Sequence, residues 1–544
     1  MSRKAEKKEP VFNLHSFNEM LLFCRDNFGE SPAFSFRIRK EEKQTVSFNS
    51  FYSDVSRLSG AFSRLGLSGK RIALIGANSY EWIVSYFSVV CIGASVVPVD
   101  KEIPENELSS VFKRSGCAAV IYSTEYAEKT EACVRKDKLS LFPLRRIKEL
   151  MKTEPDGFHL PDCLPRDTEA AVVFTSGTTG QSKGVLLSHE NIISDAVAAA
   201  RAVENYKKCL LILPAHHMFG LVAGILVPML KGCELFISSS VRRLAKDVAF
   251  FRPQALVLVP IMAETMYKKI WASAEAAGKS KRMKSAIRLS RFLLKFHIDA
   301  RRKIFREILA SLGGELEEIV CGGAAVSEDC VNGFSDFGID FFNGYGITEC
   351  APVVCVNRKN RCRARSVGQP LCCNEIRITD KDENGIGNIE VKGSNVFSGY
   401  LDSPDSEHSK TADGWFQTGD LGKTDMNGFL YLTGRKKNLI ILSNGKNVSP
   451  EEIENALSHH NCIREIVVYE KGGKITAEIF PEGKNTAEQT EKTVNEAVDA
   501  YNRSVPTYKN IERVIIREHE FSKTPTMKIK REYETIKKGD NVHA

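Results

Sequence analysis

The 544 residues exceed what one hydrophobic core ordinarily supports, so two or more domains are expected. Hydrophobic residues make up 42% and charged residues 26%, the balance of a soluble globular protein rather than a disordered or membrane-spanning one. The 76 Lys and Arg against 68 Asp and Glu leave +8, too mild over this length to call for a nucleic-acid partner.

The first ten residues, MSRKAEKKEP, read as a solvated basic tail, with none of the apolar stretch of a secretory signal behind it. Two later runs, 82–99 and 210–230, approach membrane-spanning length. Ser85, Ser88 and Pro98 interrupt the first, and Pro214, His216 and His217 the second, so buried strand–helix units are expected instead. The 15 cysteines are scattered without C-x-x-C spacing and read as reduced thiols of a cytosolic protein.

In chain order, 71–76 (RIALIG) predicts a buried strand, 80–91 an apolar helix, Gly93 its stop and 95–99 the next strand. Strands follow at 118–122 and 170–175. Residues 209–213, 218–230, Gly232 and 234–237 then repeat the strand, helix, glycine, strand order, and further strands fall at 255–259 and 318–321. That pattern predicts an α/β protein with two related, doubly wound, parallel sheets. Residues 278–312 read as a helical stretch dense in cations, among them Lys279, Arg288, Arg291, Lys295 and Arg302, with Phe292, Phe296 and Ile298 interleaved. It is either a solvated face packed on the body or an interfacial segment meeting anionic lipid headgroups.

After residue 371 the texture becomes β-rich, with short strands at 375–379, 387–392 and 429–433. Gly434 and three basic residues mark a boundary, giving an N-terminal domain over 1–434 and a small α/β domain over 435–544. The latter contains a helix at 450–457, strands at 465–469 and 475–479, a long helix at 486–502 and a strand at 514–517.

Residues 175–184, TSGTTGQSKG, follow a buried strand. Their glycines let the backbone turn tightly and offer its N–H groups to an anion, while the hydroxyls and Lys183 add donors and charge. The segment is a phosphate cradle but not a Walker A loop, because Gln181 and Ser182 separate Gly180 from the lysine. With 343–349 (NGYGITE), 418–420 (TGD), 434–438 (GRKKN) and 525–531 (PTMKIKR), it resembles the signature set of adenylate-forming enzymes, the superfamily of acyl-CoA synthetases, firefly luciferase and peptide-synthetase adenylation domains. The likeness runs from about residue 71 to the end of the chain, and the PTMK ending is most like bacterial long-chain fatty acyl-CoA synthetases.

The resemblance implies a role for each matched position. Thr175, Ser176, Gly177, Thr178, Thr179, Gly180 and Lys183 hold ATP phosphates. Gly323, Ala324 and Ala325 wall the adenine, and Asn343, Gly344, Tyr345 and Gly346 complete its site with Tyr345 stacking on the purine. Thr348 lies near the α-phosphate, Glu349 and Thr175 are oxygen ligands of Mg²⁺, and Asp420 and Arg435 take the ribose. His217 sits at the acyl pocket with His216 structural beside it. Lys528 stabilises charge as carboxylate meets α-phosphate. Lys437 is the hinge about which a mobile C-terminal domain turns, and 445–447 line the thiol entry. Lys530 and Arg531 read as surface charges.

The implied activity is an ATP-dependent acid–thiol ligase that forms acyl-AMP with pyrophosphate release and then an acyl-coenzyme A. The long cationic stretch and the Pro-Thr-Met-Lys ending resemble long-chain fatty acyl-CoA synthetases and so imply a medium-to-long fatty acid, with which a contribution of roughly 0.8 kcal/mol per buried methylene is compatible. Alternatives are an acyl carrier protein as acceptor, a ligase acting on a different acid, or a non-catalytic acyl or nucleotide sensor on the same fold. The expected place is the cytoplasm, with peripheral contact on the inner membrane face through 278–312 and a homodimer both left open.

Overall fold

The computed structural model describes residues 13–39, 42–134, 139–153, 158–175, 182–238, 240–401, 410–442, 446–460, 462–483, 486–523, 529 and 531. The chain separates into two compact units, Met1–Thr418 with Gly422–Leu432, and Gly419–Leu421 with Thr433–Ala544.

Among the described residues, the first unit carries two large sheets. One runs in the order Gly399–Leu401, Lys183–Ser188, Glu169–Thr175, Ser95–Val99, Arg71–Ile75, Ala119–Tyr122, Ser140–Pro143. The other runs Gln369–Pro370, Val353–Val356, Asp340–Gly346, Glu318–Cys321, Ala255–Leu258, Lys208–Leu211, Glu234–Ile237, Pro32–Arg39, Glu42–Ser47. Their central strands pair in parallel, Arg71 beside Ser95 and Ala255 beside Glu318. All five residues of Ser95–Val99 are buried, which explains a continuous rather than alternating apolar run.

The two predicted repeats occupy equivalent places. From Arg71–Ile75 the chain steps to Ser95–Val99 on one side and then crosses to Ala119–Tyr122 on the other. From Lys208–Leu211 it steps to Glu234–Ile237 and crosses to Ala255–Leu258. Each sheet therefore has a switch point beyond its strand ends, the place where open α/β sheets bind ligands.

The apolar helix of the first repeat, Tyr80–Val90, has ten of its residues buried and starts at Ser79, whose hydroxyl accepts from the Trp82 N–H at 3.1 Å. Among the described residues no helix is long and apolar enough to cross a membrane. The second repeat's helix is not regular: Met218–Leu221 and Val227–Leu230 flank a π-helical turn, Val222–Leu226. Pro228 has no N–H to give to the preceding turn, and the wider turn takes up that break.

Several elements departed from the sequence pattern. Ahead of residue 71 lie helix Phe17–Phe28, closed by a Ser16–Glu19 capping box, and helix Phe48–Arg64, capped by Ser47. Lys183–Ser188 is an antiparallel strand on Glu169–Thr175. The cationic stretch is helix Ser280–Leu294 followed by the short helices Arg301–Ile304 and Arg306–Ser311, broken at His297, whose φ of 60° is left-handed.

The β-rich subdomain is the sheet Asn374–Thr379, Gly387–Gly393, Phe416–Thr424, Leu430–Arg435. The second unit packs helices Pro450–Leu457 and Ala487–Ser504 on strands Ile463–Lys471, Lys474–Pro481 and Arg513–Ile516 around Ile453, Val468, Ile479 and Val494. There Arg531 is not a surface charge. It pairs with Glu454, lies 3.6 Å from Glu451 and donates to the Val468 carbonyl at 3.2 Å. Burial pushes the Glu454 carboxyl up to about 7 against the pull of Arg531.

Candidate functional site

The glycine-rich segment joins two strands of one hairpin, with Thr175 opposite Lys183 and the Thr175 hydroxyl directed to the Lys183 carbonyl at 3.4 Å. A hairpin holds both ends of the turn in fixed register, so Thr175 and Lys183 bracket it like the posts of a gate. Ser176, Gly177, Thr178, Thr179 and Gly180 lie outside the described residues, as do Gly445 and Lys528.

Tyr400, which the motifs did not single out, ties two predicted site residues together. It stands on the short strand that pairs antiparallel with Lys183–Ser188. Its hydroxyl donates to Glu349 Oε1 at 2.9 Å, and the Lys183 ammonium sits 5.0 Å over its ring. The ring face attracts the cation while the hydroxyl orients the carboxylate.

Glu349 belongs to a tight turn, Thr348–Cys350, between strands Asp340–Gly346 and Val353–Val356. Gly346 is required there, since a Cβ would sit 2.0 Å from the Pro352 carbonyl oxygen. Behind the turn Asp195 is fully buried, accepting from the Val353 N–H at 3.1 Å and from Asn395 Nδ2 at 3.0 Å. The same Asn395 amide donates to the Cys350 and Val353 carbonyls. Burial raises the Asp195 carboxyl well above its usual range. The Phe397 N–H donates to the Glu349 carbonyl at 2.8 Å, so backbone and side chain of Glu349 are both held.

Beside this turn lies a narrow apolar pocket against the second sheet. Ala199, Ala223, Val257 and Val320 form its walls, and Gly322, Gly323 and the buried Tyr345 close one side. Gly322 packs on Phe219, where a Cβ would come within 3.0 Å of the ring, and Gly323 has a φ of 95°. Ala324 and Ala325, predicted with Gly323, follow it directly between the strand Glu318–Cys321 and the cap of helix Glu328–Asp336. Gly344 precedes Tyr345 on its strand, and Asn343 turns its amide to the Ala364 carbonyl at 2.9 Å, bracing a neighbouring loop. Its lining suits an apolar group.

His217 caps helix Met218–Leu221, and His216 is buried beside it with ring centroids 4.3 Å apart. Asn78 fixes the segment ahead of them, donating to the Leu213 carbonyl at 2.8 Å and accepting from the Ala215 N–H at 2.9 Å. Burial pushes the His216 pKa well down, with His217 and Lys101 adding to the effect, so its ring stays neutral.

In the second unit Arg435 Nε lies 2.9 Å from Oδ1 of the buried Asp420. A carboxylate only accepts, so Asp420 can take hydroxyl donors as well as the guanidinium. Lys437 lies exposed in the turn Lys436–Asn438, where desolvation and then Arg435 lower its pKa. Asn438 donates to Glu451 Oε1 at 2.5 Å, and Lys446 lies 4.2 Å over the Tyr508 ring.

The family model described as AMP-binding enzyme matches residues 25–401, and the AMP-binding enzyme C-terminal domain matches 437–537. The chain is 27% identical over 545 residues to long-chain-fatty-acid–CoA ligase FadD15 of Mycobacterium bovis, covering 88% of each. It is 34% identical over 326 residues to human long-chain-fatty-acid–CoA ligase 1, covering 55% of this chain and 46% of that one. Among solved structures, ATP-bound MatB from Rhodopseudomonas palustris shares the fold with a TM-score of 0.76 at 22% identity, over 94% of this chain and 97% of that one. The braced glutamate turn and the apolar pocket thus belong to a member of the AMP-binding enzyme family.

Proposed function

We propose that this chain is an ATP-dependent ligase that joins a medium-to-long fatty acid to coenzyme A through an acyl-AMP intermediate. The observation that carries the substrate reading is the apolar lining of that pocket, whose wall includes Gly322, Gly323 and Tyr345. The acid's alkyl chain occupies it, and His217 stands at the carboxylate end. Phosphates lie on the loop between Thr175 and Lys183, adenine on Gly323, Ala324, Ala325 and Tyr345, and ribose on Asp420 with Arg435. A carboxylate and a hydroxyl are the hard oxygen donors Mg²⁺ takes while keeping several waters, so Glu349 and Thr175 fit that ion, and bound there it offsets phosphate charge. Lys528 meets the developing charge in acid activation. The functional boundary follows Gly434, with Lys437 as hinge between acid activation and thioester formation. Coenzyme A is the acceptor, and the phosphopantetheine arm of an acyl carrier protein is the competing one.

The test is a series of straight-chain acids assayed for acid-dependent pyrophosphate release. We expect kcat/KM to climb with chain length into the medium or long range. Acetate or benzoate outperforming every fatty acid would overturn the substrate assignment.

A cytoplasmic enzyme using such acids gains from peripheral contact with the membrane that holds them, and the helix Ser280–Leu294 supports that reading. Leu289, Phe292, Phe296 and Ile298 are each more than half exposed, with Arg288 and Lys295 exposed among them. Apolar side chains enter the headgroup boundary while each nearby cation adds about 1 kcal/mol on anionic lipid. The protein should co-sediment with anionic vesicles and release at high salt, and Phe292→Ser with Phe296→Ser should weaken this. Equal recovery on neutral and anionic vesicles would return the segment to a solvated face.

A further inference from the structure

Asp100, His216 and His217 each offer one ligand atom, and these atoms all lie within 4.8 Å of one another. His216 Nε2 is 3.7 Å from Asp100 Oδ1. Asp100 directly follows the buried strand Ser95–Val99, and its side chain is 20% exposed, so the cluster is reachable from solvent. The His216 side chain is 6% exposed, and its Nε2 has no hydrogen-bond partner among the described residues. A buried ring nitrogen in that position costs free energy unless something binds it. Asn78 holds the backbone that carries both imidazoles, so the pair is presented on a braced segment rather than on a free loop.

We propose that Asp100, His216 and His217 form a binding site for a borderline transition-metal cation, Zn²⁺ above all, whose occupation inhibits acid activation. Two imidazoles and a carboxylate are a common zinc donor set, with bonds of roughly 2.0–2.2 Å and tetrahedral geometry. Such bonds place neighbouring ligand atoms roughly 3.3 Å apart. The Asp100–His216 edge at 3.7 Å is near that already, and side-chain rotation closes the longer edges. Hard cations such as Mg²⁺ prefer oxygen-only ligands, so the site discriminates against the ion that accompanies ATP. Lys101, adjacent in sequence, opposes a cation, but its ammonium rides on a flexible stem and can withdraw.

The inhibitory consequence rests on the ligase reading, in which His217 stands at the acid's carboxylate. A metal there takes up His217 as a ligand and fills the space the acid's carboxylate needs, so metal and acid exclude one another. Inhibition is therefore competitive with the acid.

The probe is Co²⁺, whose tetrahedral complexes absorb visible light, titrated into the full chain and then displaced by Zn²⁺. Exposed cysteines such as Cys163, Cys362 and Cys372 can also bind, so the site is read as the difference between the wild type and Asp100→Asn. Asp100→Asn keeps the side-chain shape and the acceptor for the Glu102 N–H. His216→Gln, checked by thermal melting, is the second variant. We expect each to weaken Co²⁺ binding about 10-fold or more, and to raise the Zn²⁺ concentration that inhibits acid-dependent ATP–pyrophosphate exchange by a similar factor. Identical Co²⁺ spectra and affinities in all three proteins would overturn the site. Inhibition relieved by extra Mg²⁺ but not by extra acid would overturn the inhibitory role, because Zn²⁺ would then be acting at Glu349. If no acid supports exchange, the ligase reading fails while the Co²⁺ difference still reports the metal site.

Discussion

Tyr400 illustrates how much of a site can rest on a residue outside every motif. Its ring supports the Lys183 ammonium and its hydroxyl orients Glu349, while it sits on a three-residue strand 51 positions beyond that glutamate. Tyr400→Phe removes the hydroxyl and leaves the ring. A hydrogen bond to a charged group contributes about 1.5–3 kcal/mol, so kcat/KM for acid activation should fall about 10- to 100-fold. The Mg²⁺ concentration giving half-maximal rate should rise as well, and a variant with unchanged Mg²⁺ dependence would mean that the hydroxyl does not position Glu349 as the proposed Mg²⁺ ligand. The motif residues themselves were legible because their chemistry is local: a glycine-rich run, a TE pair, a TGD. Tyr400, Asn78, Asp195 and Asn395 were not legible. Each acts on residues distant in the chain, as Asn78 does on the Leu213 and Ala215 backbone. Arg531 was misread for the same reason, since Glu454, its partner 77 positions away, does not show in a local window.

At the scale of elements, parallel strands such as Ser95–Val99 and Glu318–Cys321 were legible to the residue, because full burial leaves an unbroken apolar run. The antiparallel strand Lys183–Ser188 was not, since the glycine-rich loop before it offers no strand pattern. The π turn at Val222–Leu226 also escaped, because 3.6-residue periodicity describes only regular helix. Glu318, at the start of its strand, breaks the apolar rule and is 3% exposed. Burial raises its carboxyl to about 8, with Asp340 and Glu204 adding to the rise. In the unfolded chain the same group titrates in the ordinary glutamate range, so between these limits the folded state holds the extra proton. Stability is therefore fully present at acid pH and is lost as pH rises towards 8. Glu318→Gln should stabilise the protein by about 1–3 kcal/mol at pH 8 and by little at pH 5. Thermal midpoints of both proteins across that range check this, and a difference that does not grow with pH would contradict it.

At the scale of the whole molecule, the pseudo-repeat of strand, helix and glycine was visible in the sequence, and it corresponds to two sheets with equivalent switch points. What could not be read was where the apolar pocket forms. In the second sheet the residues that open it are small ones, Ala199, Ala223 and Gly322, brought together from three separate segments. An acyl chain placed there leaves its carboxylate for the α-phosphate, so the bond broken in ATP must lie between the α- and β-phosphates. Analysis of the products of ATP cleavage tests this most directly. With a fatty acid and Mg²⁺ present, the enzyme should yield AMP and pyrophosphate in equal amounts and none without the acid. Acid-dependent ADP and orthophosphate would contradict the account.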